Sequence, residues 1–172
     1  FLRSLGPFFL HVYPSSLHTF IAKIGQEEFR SLPIQGVMAG SEAFPPHQMK
    51  VFEQSYGLRL AYWYGHSEYA TLARHCRMCG GFHFYPTYGF TEFVPFADNT
   101  HHIVATSYNS IGTQFVRYDT GDLAVLSDKS CGEPFQRIEH VVGRAQEYFV
   151  GRDGEVRAFG PFLFGIHNEF WN

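Results

Sequence analysis

At 172 residues the chain has the length of one ordinary domain, or of two small parts sharing a core. Hydrophobic residues make up 45% and phenylalanine alone contributes 19, a composition that argues against disorder. The net charge of −3 leaves no basic footprint for nucleic acid, and no apolar run approaches the roughly 20 residues that span a bilayer.

Residues 1–10 lack the charged start and small-residue cleavage site of a signal peptide. The chain opens on Phe1 and closes on Trp171 and Asn172 just after an apolar stretch, so a piece of a longer chain is expected. Ser15 and Ser16 are placed to cap a helix whose apolar face is Leu17, Phe20, Ile21 and Ile24. Residues 34–39 read as a strand, and Gly40-Ser41-Glu42 turns the chain. Pro45 and Pro46 suit the first turn of a helix that carries Met49, Phe52 and Tyr56 inward and ends at Gly57. Residues 58–64 form a continuous apolar run, expected as a strand covered on both faces of a parallel sheet. Strand, helix and strand make a βαβ unit.

Beyond Gly80 short β-rich runs alternate with turns, at 82–85, 90–96, 102–106, 115–118, 123–126, 137–142 and 148–150. Asp153-Gly154 is a hairpin signal between the last of these and 156–159. Residues 162–170 are too short a run to assign. The expected fold is thus α/β followed by a β-rich, antiparallel or barrel-like half, without internal repeats.

Two segments carry chemistry. Tyr64-Gly65-His66-Ser67-Glu68 stands at the carboxyl end of the apolar strand, the edge where open α/β sheets bind ligands. Tyr64 offers a flat ring for a purine, and Gly65 lets the backbone approach closely. Ser67 supplies a hydroxyl for a phosphate oxygen, and Glu68 a hard oxygen ligand for Mg²⁺. The bland alternative is a strand-to-helix turn with Ser67 as N-cap. Further on, Arg117-Tyr118-Asp119-Thr120-Gly121-Asp122 can present an acid to both ribose hydroxyls, or can be a hairpin turn rich in Asp, Thr and Gly. At Gly143-Arg144 a guanidinium could reach ribose or phosphate, or form a surface salt bridge.

In this order, Tyr64-Gly65-His66-Ser67-Glu68, Tyr118-Asp119-Thr120-Gly121-Asp122 and Gly143-Arg144 resemble three core motifs of the adenylate-forming superfamily. Its members are acyl- and aryl-CoA synthetases, nonribosomal peptide adenylation domains and luciferases. Ala39-Gly40-Ser41-Glu42-Ala43 before Pro45-Pro46, Cys76, and Cys131-Gly132-Glu133 with Arg137 are similar to the phenylacetate–CoA ligase branch. That branch includes relatives encoded with capsular-polysaccharide genes and the synthetase that adenylates a deazaflavin coenzyme. The resemblance runs from about Tyr13 onward.

It implies a fold made of part of the large N-terminal domain, a barrel-like antiparallel subdomain and the start of a C-terminal domain. The corresponding ranges are 1–75, 76–142 and 143–172. It implies that Tyr64 stacks on adenine with Gly65 beside it, while Ser41 and Glu42 line the base pocket. Ser67 then touches the α-phosphate and Glu68 holds Mg²⁺; these two are the catalytic candidates. Asp122 binds ribose and Arg144 supports ribose and phosphate, with a hinge just after. ATP or AMP, a small-molecule carboxylic acid and, as acceptor in the parent, coenzyme A are the implied ligands. Where the family often has Asp or Lys at the hinge, this chain has Ala145-Gln146-Glu147.

The family's Ser/Thr/Gly-rich phosphate loop with its Lys has no counterpart in residues 1–33, and the nearest such stretch, 107–113, has no Lys. The lysine of the C-terminal domain is also missing. Stabilising the departing pyrophosphate needs such charge, so the chain alone is expected to be inactive. Against a fragment of an acid–AMP ligase stands a second expectation, a nucleotide- or zinc-binding module without catalysis.

Three cysteines make an odd count that suits a reducing, cytoplasmic compartment better than a disulfide framework. Cys76, Cys79, His83 and Cys131 form one candidate structural zinc set, His83 being preferred to His75 as fourth ligand. In some members of the branch a Cys and a nearby His pair with a Cys-x-Cys knuckle; here Lys129 replaces the first of those cysteines. Three reduced thiols packed as small hydrophobes are the alternative.

Overall fold

The computed structural model describes residues 1–42, 44–129, 131–145, 148–150, 152 and 156–158. The chain divides into two compact units, Phe1–Gly65 and His66–Asn172.

In the first unit three parallel strands, β1 (Phe8–Val12), β2 (Ile34–Ala39) and β3 (Arg59–Gly65), lie in that order. Helices α1 (Pro14–Ile24) and α2 (Gln26–Arg30) connect the first pair, and α3 (Pro46–Tyr56) connects the second. Two βαβ units therefore stand where the periodicity reveals one. The strand at Phe8–Val12 escapes notice because only five residues carry it. Apolar side chains of all three helices meet one face of the sheet. Leu17, Ile21, Phe29, Met49 and Phe52 are buried in one core with Ile34, Val37, Ala39 and Leu60. Phe29 anchors it, with ring centroids 6.0 Å from Phe20, 6.2 Å from Phe52 and 5.0 Å from Tyr56. Strand β3 is not covered on both faces among the described residues. Ala61 is exposed beside Met38, which is register-paired with it, and Phe9 is 66% exposed on the outermost strand.

Helix α1 is not capped by Ser15 or Ser16 as expected. Its N-cap is Tyr13 and Pro14 takes the first helical position, which needs no N–H donor. The orphan donors are met from afar: the N–H and the hydroxyl of Ser15 both donate to the Glu42 carboxylate, at 2.9 Å each. Gly57 ends α3 in the left-handed conformation (φ 65°), its N–H donating to the carbonyl of Glu53, as the sequence leads one to expect.

The second unit is a six-stranded antiparallel sheet, ordered β4 (Leu72–His75), β5 (Phe82–Phe84), β9 (Arg137–Arg144), β8 (Tyr118–Leu126), β7 (Thr100–Ser107) and β6 (Gly89–Ala97). Its edges approach each other. The hydroxyls of Thr71 and Thr91 lie 2.7 Å apart in a buried contact, and Gly89 packs so close to the carbonyl of Ala70 that a Cβ there would sit 2.1 Å from it. The sheet thus curls round Phe84, Ile103, Leu123 and Ile138, which are all buried. A separate hairpin pairs β10 (Tyr148–Val150) with β11 (Val156–Ala158) across the Asp153-Gly154 signal, itself outside the described residues, as is the unassigned run 162–170. Among the described residues no helix is long and apolar enough to cross a membrane.

Candidate functional site

The residues after β3 make a turn, not the start of a helix, so Ser67 is no N-cap. Its side chain is exposed, and Glu68 next to it is partly buried. The following residue, Tyr69, has φ 54°, a left-handed conformation that costs a non-glycine residue on the order of 1 kcal/mol. Glu68 is held at its carboxylate. Tyr118 at the start of β8 donates its hydroxyl to Oε1 at 3.4 Å, and His66 Nδ1 lies 3.3 Å from Oε2. Phe115 braces the Tyr118 ring at a centroid distance of 4.8 Å.

The segment Asp119-Thr120-Gly121-Asp122 is part of β8 and not a hairpin turn. Gly121 has φ 75°, Asp119 accepts the Gly121 N–H at 2.9 Å, and buried Thr120 donates to the Ile103 carbonyl at 2.8 Å. Asp122 is register-paired with Arg144 on β9. Its Oδ1 is 4.0 Å from the guanidinium, and its side chain is 15% exposed against 54% for Arg144. A Cβ on Gly121 would stand 3.1 Å from the Arg144 guanidinium, so glycine leaves room for that side chain to lie across the strand. Burial lowers the pKa of His66, while Glu68 and Asp122 pull it upward and Arg144 pushes it down. Burial, then Glu68, raises the pKa of the Tyr118 phenol. Tyr118 and Asp122, on one strand, thus bring together Glu68 and Arg144, which lie 76 positions apart in the chain. In the same unit a cavity of about 380 Å³ is lined by Ser67, Glu68, Tyr69, Ser110, Gly112, Thr113 and Phe115.

In the first unit, Tyr64 and Gly65 are the last residues of β3. Gly40 abuts Trp63, whose indole a Cβ would meet at 2.5 Å. Ser41 has φ 66° and is exposed. Glu42, expected at the base pocket, has its carboxylate on the N-terminus of α1. Its carbonyl accepts the Tyr62 hydroxyl at 2.8 Å, and that hydroxyl accepts the Phe44 N–H at 3.1 Å.

The second cluster lies at the other end of the antiparallel sheet. One possible ligand atom from each of Cys76, Cys79, His83 and Cys131 falls within 4.8 Å of all the others. Sγ of Cys76 and Cys131 are 3.9 Å apart, and His83 Nε2 is 3.1 Å from Cys131 Sγ and 3.4 Å from Cys79 Sγ. Tetrahedral zinc with ordinary Zn–S and Zn–N bonds requires ligand separations of about 3.8 Å for sulfur pairs and about 3.5 Å for nitrogen to sulfur. The donor set fits that ion. The turn that brings Cys76 and Cys79 together is closed by Cys76 N–H to the Gly81 carbonyl (2.7 Å) and Gly80 N–H to the Cys76 carbonyl (2.8 Å). Burial pushes the Cys76 thiol up, but hydrogen bonds from the N–H groups of Cys79 and Met78 and with the Cys79 and Cys131 thiols together hold it below its ordinary value. Burial raises the Cys79 thiol, with Cys76 adding to the rise and the Gly81 N–H opposing it. His83 is fully buried, and burial keeps its imidazole neutral, the form that binds metal. His75 instead places Nε2 3.2 Å from the Gly80 carbonyl. Arg74, beside this turn, pairs with Glu133, two residues after Cys131, and that hydrogen bond chiefly raises the Arg74 pKa. All three cysteines are free thiols.

Sequence reasoning assigned no role to Tyr118, to His66 or to the serines of residues 107–110. The adjacency of Tyr118 to the Asp-Thr-Gly-Asp run was the one available signal.

The sequence matches no protein-family model and no curated protein. Solved structures do match. A 2-hydroxyisobutyryl-CoA ligase in the postadenylation state, in complex with 2-HIB-AMP, aligns with 97% of this chain and 38% of its own, at 18% identity and a TM-score of 0.74. An anthranilate–CoA ligase in complex with anthranoyl-AMP aligns with 87% of this chain and 32% of its own, at 13% identity and a TM-score of 0.60. The A domain of a carboxylic acid reductase from Segniliparus rugosus, in complex with AMP and a co-purified carboxylic acid, aligns with 88% and 29%, at 12% and 0.56. The chain has the fold of part of an adenylate-forming enzyme and spans about two fifths of the length of the ligase.

Proposed function

We propose that this chain is the nucleotide-holding part of an ATP-dependent carboxylic acid–AMP ligase, which forms an acyl- or aryl-adenylate and passes the acyl group to coenzyme A or another acceptor. The observation that carries the reading is that β8 brings Tyr118 to the Glu68 carboxylate at 3.4 Å and, four residues on, Asp122 to within 4.0 Å of Arg144, in a fold shared with enzymes solved with acyl-adenylates or AMP.

In this reading Tyr64 stacks on adenine and Gly65 admits the ligand to the backbone. Ser41 and Glu42 line the base pocket through their main chain, since the Glu42 carboxylate is engaged by Ser15. Asp122 accepts hydrogen bonds from the ribose hydroxyls, and Arg144 supports ribose and phosphate. Ser67 donates to the α-phosphate. Glu68 offers its carboxylate to Mg²⁺, which when bound neutralises phosphate charge. Residues 1–75, 76–142 and 143–172 serve as α/β part, β-rich part and hinge with the start of a mobile domain. Cys76, Cys79, His83 and Cys131 hold a structural zinc ion that fastens the β4–β5 turn to the segment before β9. Three free thiols suit a reducing, cytoplasmic setting.

Calorimetric titration of the 172-residue chain with AMP tests the reading. Binding is expected, and Asp122→Ala is expected to weaken it about tenfold through the loss of charged hydrogen bonds to ribose. No binding, or equal binding by the variant, would sink the nucleotide assignment. A nucleotide- or zinc-binding module without catalysis is the second reading, favoured by the missing Lys in residues 107–113. An adenylate trapped on a longer parent chain decides for the ligase.

A further inference from the structure

We infer that Ser107, the last residue of β7, and Ser110, in the connection to β8, are positioning residues that fix the backbone carrying Glu68. The inference rests on the proposed role of Glu68 as magnesium ligand.

The residues after β3 carry a conformational conflict. Glu68 must aim its carboxylate while its neighbour Tyr69 sits in the left-handed region at φ 54°. A non-glycine residue stays there only when its surroundings over-determine it. Within the turn, one hydrogen bond helps, from Tyr69 N–H to the His66 carbonyl at 3.2 Å. Two more come from far along the chain. Ser110 donates its hydroxyl to the Glu68 carbonyl at 3.3 Å, and Ser107 donates to the Tyr69 carbonyl at 3.2 Å. These acceptors flank the strained residue on its two sides.

The serines are themselves held. Ser107 Oγ accepts the N–H of Ser110 at 3.1 Å and of Asn109 at 3.3 Å, and lies 2.9 Å from Ser110 Oγ. Each hydroxyl has one proton: Ser107 spends its own on the Tyr69 carbonyl or on Ser110 Oγ, and in either case Ser110 keeps its proton for the Glu68 carbonyl while the two N–H groups fill the acceptor side of Ser107. The ends of the connection are closed by Ser107 N–H to the Phe115 carbonyl at 2.9 Å, and Asn109 Nδ2 donates to the Tyr88 carbonyl at 3.1 Å. From Phe115 the same connection runs into Tyr118, whose hydroxyl reaches the Glu68 carboxylate. The loop therefore grips Glu68 at its main chain through Ser110, and the first residue of the strand it leads into, Tyr118, reaches the side chain. Between loop and turn lies the cavity lined by Ser67, Glu68 and Thr113. In place of a lysine-bearing phosphate loop, the serine-rich stretch acts on the metal ligand, not on phosphate.

Two titrations of the 172-residue chain test this. Mn²⁺ binding in the presence of ATP, read by electron paramagnetic resonance, reports the metal site. AMP binding without added divalent metal reports the nucleotide pocket alone. The double variant Ser107→Ala/Ser110→Ala is expected to weaken Mn²⁺ binding about tenfold, the effect of one or two lost hydrogen bonds. Metal-free AMP affinity should stay within twofold, and Ser110→Thr, which keeps a hydroxyl, should bind Mn²⁺ like the wild type where Ser110→Ala does not. Unchanged Mn²⁺ affinity in the double variant overturns the inference, as does an equal loss of metal-free AMP binding, which is what general loosening would give. If the double variant fails to fold, Ser110→Ala alone carries the same two outcomes. Glu68→Gln separates the layers: if wild type and Glu68→Gln bind Mn²⁺ alike, the magnesium role of Glu68 falls and the serines lose their object. If Glu68→Gln weakens binding and the serine variants do not, only the positioning inference falls.

Discussion

Glu42 and Glu68 are both acids in turns after parallel-sheet strands, and side-chain type alone does not separate them. Their partners do. The Glu42 carboxylate neutralises the N-terminal donors of α1, a structural duty, whereas Glu68 is met by one phenol and one imidazole and keeps 37% of its side chain in solvent. A hard cation can use the second arrangement more readily than the first. The cysteines invite a residue-scale prediction. Protein purified without a histidine tag or added zinc should contain about one zinc per chain, measured by elemental analysis. Cys131→Ser should lose it and lower Tm by about 10 °C, as removal of roughly 3 kcal/mol would in a domain of this size. A metal-free wild type with the same Tm as the variant would leave three packed thiols as the better account.

At the scale of elements, short strands were the hardest to read. Leu72–His75 has four residues and Phe8–Val12 five, too few for alternation to stand out, and both are recruited by pairing with another strand. Residues 115–118 and 123–126 read as two runs, yet one strand, Tyr118–Leu126, passes through the glycine between them. The turn signal was chemically right, since Gly121 is left-handed, but β7 and β9 on either side keep the segment in the sheet. The Cys-Gly-Gly turn gives a sharper prediction. Gly80 has φ 75° with open space around its Cβ position, whereas a Cβ on Gly81 would lie 2.1 Å from the Ile138 carbonyl. Gly80→Ala should cost about 1 kcal/mol from backbone strain, and Gly81→Ala about 3 kcal/mol or more, because β5 and β9 must part. Denaturant unfolding checks the order; the reverse order would contradict the packing described.

For the whole molecule, the comparison with larger ligases sets the expectation. The chain spans about two fifths of the 2-hydroxyisobutyryl-CoA ligase it matches, and its own residues 1–33 and 107–113 contain no lysine-bearing phosphate loop. In the proposed ligase reading, these residues offer no phosphate-loop lysine to meet leaving-group charge on pyrophosphate. The purified 172-residue chain should bind AMP yet give no ATP–pyrophosphate exchange with any carboxylic acid; exchange above background would refute the incompleteness of its catalytic set.

What the amino-acid order determined was local: the period of α1 and α3, the strand at Ile34–Ala39 and the left-handed stop at Gly57. Those features depend on residues within one or two turns of each other, so they can be read without coordinates. Tertiary structure alone decided that Glu68 meets Tyr118, that Ser107 and Ser110 hold the turn beside it, that Glu42 caps a helix, and that Cys131 comes to Cys76 and His83. Each of these contacts joins residues more than 25 positions apart, where sheet pairing and a curled core, not local propensity, fix which atoms can touch.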